Sequence, residues 1–217
     1  MIDLHTHSLL SDGQLLPSEV VRRYKVLGYK AIAITDHVDE SNIETVISKI
    51  VEVSQKLNKS NGIFVIPGVE LTHIPPRNIS VLVERARSLG AKLILVHGET
   101  LAEPVAPGTN RSALKCDIDI LTHPGLITEA DALLAAKNGI CLEITTRRAH
   151  AFTNGHVAKI AKLTGAKLVL NSDSHAPEDL LTLAVAEKIA EGAGLTKSDI
   201  AVMRKNAQRI IQKITKN

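Results

Sequence analysis

The sequence predicts an α/β protein, a TIM-like parallel β/α barrel of seven strands, and three observations predict it. Short apolar runs alternate with segments of helical period throughout, the mark of repeated βαβ units. Several of the helical segments stop at a glycine, as helix C-termini commonly do. Six of the nine histidines, with a glutamate and two aspartates, fall at or just past the ends of the apolar runs. In one parallel barrel every strand delivers its last residues to the same open end, so those side chains converge.

The strands are expected at 1–7, 31–37, 63–70, 92–97, 117–123, 139–145 and 167–175. Helices follow near 17–27, 40–59, 77–89, 128–138, 154–164, 177–193 and 197–215. Gly28, Gly62, Gly90, Gly139 and Gly165 mark five of the stops. One connection breaks the rhythm: residues 98–116 are irregular, with at most a short helix near 110–115, and a long loop at the open end of a barrel is usually functional. No linker, low-complexity stretch or repeat interrupts the pattern, so residues 1–217 are expected to form a single barrel domain.

Composition narrows the function. With 44% hydrophobic and 23% charged residues the chain is ordinary for a globular protein, and no apolar run approaches the ~20 residues that span a bilayer. No membrane partner is expected. Met1-Ile2-Asp3-Leu4 leads straight into the first strand without a basic stretch, so the expected location is the cytoplasm. Cys116 and Cys141, at a strand start and inside a strand, are expected to be small buried thiols. The net charge of +3 is concentrated at the end, where Arg204, Lys205, Arg209, Lys213 and Lys216 stand without an acidic neighbour. That stripe is expected to be a solvated helix face rather than a nucleic-acid footprint, and the absence of Trp leaves little for base stacking.

The chemistry lies in the strand ends. On a strand, residues i and i+2 share a face, which aims His5 with His7, and Asp173 with His175 if the last strand persists that far. Asp36 and His37 are neighbours and face opposite ways, so His37 is the expected ligand and Asp36 a supporting group. Asp12, in Ser11-Asp12-Gly13, can reach back over the site. Glu70, His97 and His123 complete nine candidate ligands. A lone histidine is usually a hydrogen-bonded core residue and a lone Asp-Gly usually a turn, but nine such groups in one cavity are costly without a cation among them. Nitrogen and carboxylate ligands without cysteine suit Zn, Mn or Fe, and Glu70 could bridge two ions. His73 is a candidate for the rim, and His156 reads as a helix residue.

Around the expected site stand candidate substrate-binding residues. Arg147, Arg148 and His150 follow the sixth strand at the open end, where cations suit phosphate oxygens. Asn110 and Arg111 lie in the long loop, where Pro107-Gly108-Thr109 could open a short helix whose free N–H groups suit an anion.

Taken in order, His5-Thr6-His7, Thr35-Asp36-His37, Gly68-Val69-Glu70, His97, His123-Pro124 and Asp173-Ser174-His175 resemble the motifs of the polymerase-and-histidinol-phosphatase (PHP) family of metal-dependent phosphoesterases, across the whole chain. The resemblance implies a distorted seven-stranded barrel holding two to three divalent ions. It implies one ion on His5, His7, Glu70 and Asp173, a second on Glu70, His97 and His123, and a third on Asp12, His37 and His175. Some members have histidine where this chain has Asp12, which bears on the third ion. The expected activity is hydrolysis of a small phosphomonoester, histidinol-phosphate-like or a nucleotide, by a metal-activated hydroxide, with Glu70, Asp173 and His175 as the catalytic residues. The amidohydrolase barrel also opens with His-x-His but resembles an eight-stranded barrel with a carboxylated lysine on strand four, where this chain ends in His97. A nuclease or RNA-binding relative of the same barrel is the remaining alternative, and a binding scaffold has no need of an intact ligand set.

Overall fold

The longest strand organises the sheet. In the computed structural model, which describes residues 1–60 and 62–216, strand β4 follows β1 (Ile2–Asp3), helix α1 (Pro17–Val26), β2 (Ala31–Ile34), β3 (His37–Val38) and α2 (Ile43–Ser60), and itself spans Phe64–Leu71. It pairs with β2 through Phe64 to Pro67 and with β3 through Glu70 and Leu71, so β2 and β3 are two pieces of one strand broken at Thr35 and Asp36. The seven-strand expectation therefore holds as a path, with one member interrupted.

The rest alternates as βα units: α3 (Ile79–Ser88), β5 (Leu93–His97), α4 (Thr109–Ala113), β6 (Ile120–Thr122), α5 (Glu129–Asn138), β7 (Cys141–Thr145), α6 (Asn154–Thr164), β8 (Lys167–Asn171), α7 (Leu183–Gly192) and α8 (Lys197–Lys216). Every pairing is parallel, in the order β1-β2-β4-β5-β6-β7-β8. A parallel bridge between Thr6 and Ser174 joins the two ends. At this seam side chains replace part of the ladder: the Leu4 N–H donates to the Asn171 side-chain oxygen at 3.0 Å, and the Ser172 hydroxyl to the His5 carbonyl at 3.3 Å. The barrel closes, with a distorted join.

Helix ends follow local chemistry. Thr128 caps α5 by accepting from the Asp131 N–H, and Gly139 and Gly165 take the left-handed conformation after α5 and α6, which costs a residue without Cβ nothing. The helix expected over 177–193 is shorter. Its first residues, Pro177–Asp179, form one 3-10 turn because the Asp179 carboxylate accepts from the N–H groups of His175 and Ala176, at 2.9 and 3.0 Å, and α7 starts only at Leu183.

Two apolar layers form the core. The larger lies between strands and helices, and the smaller fills the barrel with Leu4, Ala33, Ile66, Leu93, Leu95, Ile120, Cys141 and Val169. Ala207 and Ile210 of α8 belong to the inner layer, so the basic C-terminal helix is the plug of the barrel's lower end. Burying a side chain such as Ile210 contributes about 1.5–3 kcal/mol. Two of its cations are paired: Lys213 lies 3.2 Å from the buried Asp119, and Arg204 contacts Glu187. Cys141 is buried and Cys116 half-buried, and both are free thiols. No helix among the described residues is long and apolar enough to cross a membrane.

Candidate metal centre

Above the inner apolar layer the same strand faces turn polar. On β5 the inward positions run Leu93, Leu95, His97; on β4, Ile66, Gly68, Glu70; on β7, Cys141 and Glu143. At Gly68 a Cβ would stand 2.8 Å from the Thr35 methyl, so the wall there has no room for a side chain below Glu70. Alternation thus converts an apolar floor into a ring of polar side chains within one residue pair.

Two further candidate ligands arrive differently. His123 and Asp173 lie past the ends of β6 and β8 in positive-φ backbone, at 24° and 53°, and His73 after β4 is at 54°. These three are the positive-φ non-glycine residues among those described, and all stand at the open end. Such conformations persist only where surroundings enforce them. The last strand therefore stops at Asn171, and Asp173 and His175 do not share a strand face: the turn, not the alternation, aims them.

The structure brings together all nine candidate ligands. Glu70 is at the centre. Its Oε2 lies 3.3, 3.6 and 3.0 Å from His5 Nε2, His7 Nε2 and His37 Nδ1, while its Oε1 lies 3.5 Å from His123 Nε2. Asp173 Oδ1 stands 3.5 and 3.3 Å from His5 and His7 Nε2, and its Oδ2 3.7 Å from His123 Nε2. Asp12 reaches back as expected, with its oxygens 3.6 Å from His37 Nε2 and 3.3 Å from His175 Nε2. Four clusters able to hold a metal ion result: His7, Asp12, His37 and His175; His5, His7 and Glu70; His5, His123 and Asp173; and His97, His123 and His150.

Two features fit a cation. Tetrahedral ligands about 2.0–2.1 Å from one ion lie about 3.4 Å apart, which is the spacing found here between imidazole and carboxylate atoms. Both ring nitrogens of His7, and His5 Nε2, Glu70 Oε2, His123 Nδ1 and Asp173 Oδ2, are buried without a hydrogen-bond partner. Orphaned atoms in such number are rare unless an ion is their partner. Titration follows the crowding. Burial discharges His7 and neighbouring His37 and His175 reinforce this, so its pKa falls well below the usual range. Burial opposes the charge of Glu70 too, but the charge of His5 and the His123 and His37 rings beside it outweigh that and hold its carboxyl well down. A neutral imidazole beside an ionised carboxylate is a ligand pair in its binding form.

Supporting groups fix the rings. Asp36 accepts from the backbone N–H and hydroxyl of both Ser8 and Ser11, at 2.7 to 3.1 Å, shaping the loop that presents Asp12, in keeping with the supporting role expected. Glu143 escaped the sequence reading. It is fully buried, 2.8 Å from His5 Nδ1, and accepts from the His123 N–H at 3.2 Å and the Asn171 amide at 2.8 Å. The one signal was an acidic residue in the apolar strand Cys141–Thr145.

The substrate-binding candidates separate. Arg147 sits at the rim, its Nη1 3.3 Å from the Asp173 carbonyl and 3.1 Å from Asp179 Oδ2. Arg148 is exposed. His150 turns inward and stacks on His123 with centroids 4.2 Å apart. Asn110 and Arg111 are not brought to the cluster. The Asn110 amide donates to the Pro124 carbonyl and its oxygen accepts from the Glu99 N–H, while Arg111 pairs with Asp131. The anion at the start of α4 is the chain's own: Glu99 Oε1 accepts from the N–H groups of Gly108 and Asn110 at 3.0 and 2.8 Å. His73 lies on the rim, 45% exposed, and His156 is a helix residue bonded to the Ile127 carbonyl at 2.8 Å.

A family model described as the PHP domain matches residues 3–212. An uncharacterised protein of Methanocaldococcus jannaschii is 49% identical over 200 residues, covering 91% of this chain and 92% of its own. A protein of Shewanella halifaxensis named as a probable phosphatase is 28% identical over 218 residues, covering 89% and 84%. Among solved structures, one titled a histidinol phosphatase, from Listeria monocytogenes, superposes with a TM-score of 0.60 at 12% identity, covering 83% of this chain and 97% of its own. An amidohydrolase superposes with a TM-score of 0.59 at 13% identity, covering 88% and 69%. These likenesses show a shared barrel.

Proposed function

Because the chain belongs to the PHP domain family, we propose that it is a metal-dependent phosphoesterase that hydrolyses a small phosphomonoester. The observation that carries the reading is the convergence at the barrel mouth of nine imidazoles and carboxylates, with six of their buried atoms lacking a hydrogen-bond partner.

His5, His7, Glu70 and Asp173 would hold one divalent ion, Glu70, His97 and His123 a second, and Asp12, His37 and His175 a third, with Zn, Mn or Fe suited to such donors. Bound there, divalent ions supply a water acidified toward neutral pH and positive charge for the phosphate oxygens. Glu70, buried and ionised, contributes one oxygen to each side of the cluster and fixes its geometry. Asp173 and His175 orient the opposite wall, where the His175 ring stacks on His7 at 4.0 Å. Glu143 holds His5 with Nε2 facing the cluster. Arg147, 31% exposed and beside Asp173, would grip phosphate oxygens, with Arg148 farther out.

The Shewanella relative's name supports action on a phosphate ester. Against the amidohydrolase reading, the fourth strand of the path, β5, ends in His97 and the shared carboxylate comes from Glu70. A panel of phosphomonoesters, phosphodiesters, lactones and amides assayed on one metal-loaded sample tests the proposal. Turnover confined to phosphomonoesters is the expected result, and turnover confined to lactones or amides would overturn it.

A further inference from the structure

The long loop after β5 carries a carboxylate into the centre. Glu103 Oε2 lies 3.2 Å from His73 Nε2 and 3.3 Å from His97 Nε2, and its Oε1 lies 3.5 Å from His150 Nε2. We propose that Glu103 and His150 complete the ligand set of the ion at His97 and His123, so that the loop is a strap fastened by the metal. This rests on the site's being a metal centre, whatever ester it cleaves.

His150 has the anchoring of a ligand. His5 Nδ1 is held by Glu143, His97 Nδ1 by the Gly98 carbonyl at 3.2 Å and His175 Nδ1 by the Asp173 carbonyl at 3.0 Å, each with Nε2 turned to the cluster. His150 repeats this, its Nδ1 2.7 Å from the Thr100 hydroxyl and its Nε2 toward Glu103 and, at 3.9 Å, Asp173 Oδ2. Fixing one ring nitrogen so that the other presents its lone pair is how proteins orient metal-binding histidines. The ring is also buried, at 6% exposure, and belongs with His97 and His123 to one cluster able to hold an ion.

Glu103 is delivered by a built loop. At the loop's base the Glu99 carboxylate binds the Gly108 and Asn110 N–H groups, and the Asn110 side chain ties the Glu99 backbone to the Pro124 carbonyl. Thr100, which anchors His150, also accepts from the Ala102 N–H at 3.2 Å. Loop and ligand are therefore fixed by the same residues.

The test is a zinc titration of the whole protein against a chromophoric chelator, with proteinase K cleavage of the 98–108 loop, which offers that protease Leu101, Ala102 and Val105, followed in parallel by mass spectrometry. Glu103→Gln and His150→Gln should each weaken one bound equivalent by about ten- to a hundredfold while the other equivalents keep wild-type affinity. Zinc should slow loop cleavage in the wild type and not in Glu103→Gln. Because Glu103 is half-exposed on a loop, that variant is expected to fold, which circular dichroism checks. Unchanged affinity and stoichiometry in both variants would overturn the proposal even with turnover impaired, since a group that touches only substrate leaves metal binding intact. A wild type that binds no zinc would overturn the metal centre itself, a result distinct from failure of the strap.

Discussion

Glu143 Oε1 lies 2.8 Å from Nδ1 of His5, and both side chains are fully buried. Burial alone would push the Glu143 carboxyl up, but His5, its hydrogen bond and His123 outweigh that and hold it below the usual range. An ionised carboxylate behind His5 keeps the ring's far nitrogen toward Glu70 and raises its basicity as a ligand. Glu143→Gln preserves shape and removes the charge. We expect about ten- to a hundredfold lower metal affinity with the fold intact, measured by chelator competition alongside circular dichroism.

Glu70 has a different failure. One oxygen faces His5, His7 and His37 and the other His123, so Glu70→Gln removes the charge that the two proposed ion positions would share. Turnover of the best phosphomonoester should fall to background while the far-ultraviolet spectrum stays unchanged. Activity within a few-fold of wild type would exclude Glu70 from the reaction.

The two arginines after β7 should differ. Arg147 touches Asp173 and Asp179 at the rim, whereas Arg148 is exposed. Replacing both by alanine should lower kcat/KM about tenfold, or ~1.4 kcal/mol, with Arg147→Ala accounting for nearly all of it. Steady-state kinetics on the single and double variants decide this, and equal losses from both singles would contradict the placement.

A pH effect on stability is expected far from the site. Thr196 and Asp199 cap α8 reciprocally: the Thr196 N–H donates to Asp199 Oδ2 at 2.8 Å and the Asp199 N–H to Thr196 Oγ1 at 3.2 Å. Lys162, 2.8 Å away, and these bonds hold the Asp199 carboxyl down at about 2. A depressed carboxyl binds its proton later in the folded than the unfolded chain, so its stabilisation is present above about pH 4 and is lost as pH falls toward about 2. Asp199→Ala should cost about 0.3–1 kcal/mol at pH 7. Urea unfolding of both proteins should show that gap narrowing below about pH 4.

How much of this was legible in the sequence follows from what alternation encodes. His97 and Glu70 continue the inward faces of β5 and β4, and an apolar run ending in a ligand is visible in one dimension. His123 and Asp173 were visible as residues but not as geometry, because left-handed backbone past a strand end leaves no period in the chain. Glu143 was hidden because a single acidic residue in an apolar strand carries no spacing, and Glu103 because an irregular loop has no pattern to read. The helix start expected near Gly108 was real, but its N–H groups had a local taker in Glu99, a contact between residues that only the folded loop brings together.

Whether the barrel mouth is a metal centre is decided by the metal content of the protein purified without chelator. Ten imidazole and carboxylate side chains in four overlapping clusters exceed what one ion can use. Elemental analysis should find between about two and three equivalents of Zn, Mn or Fe per chain. One equivalent or none, in protein shown to be folded, would contradict the account.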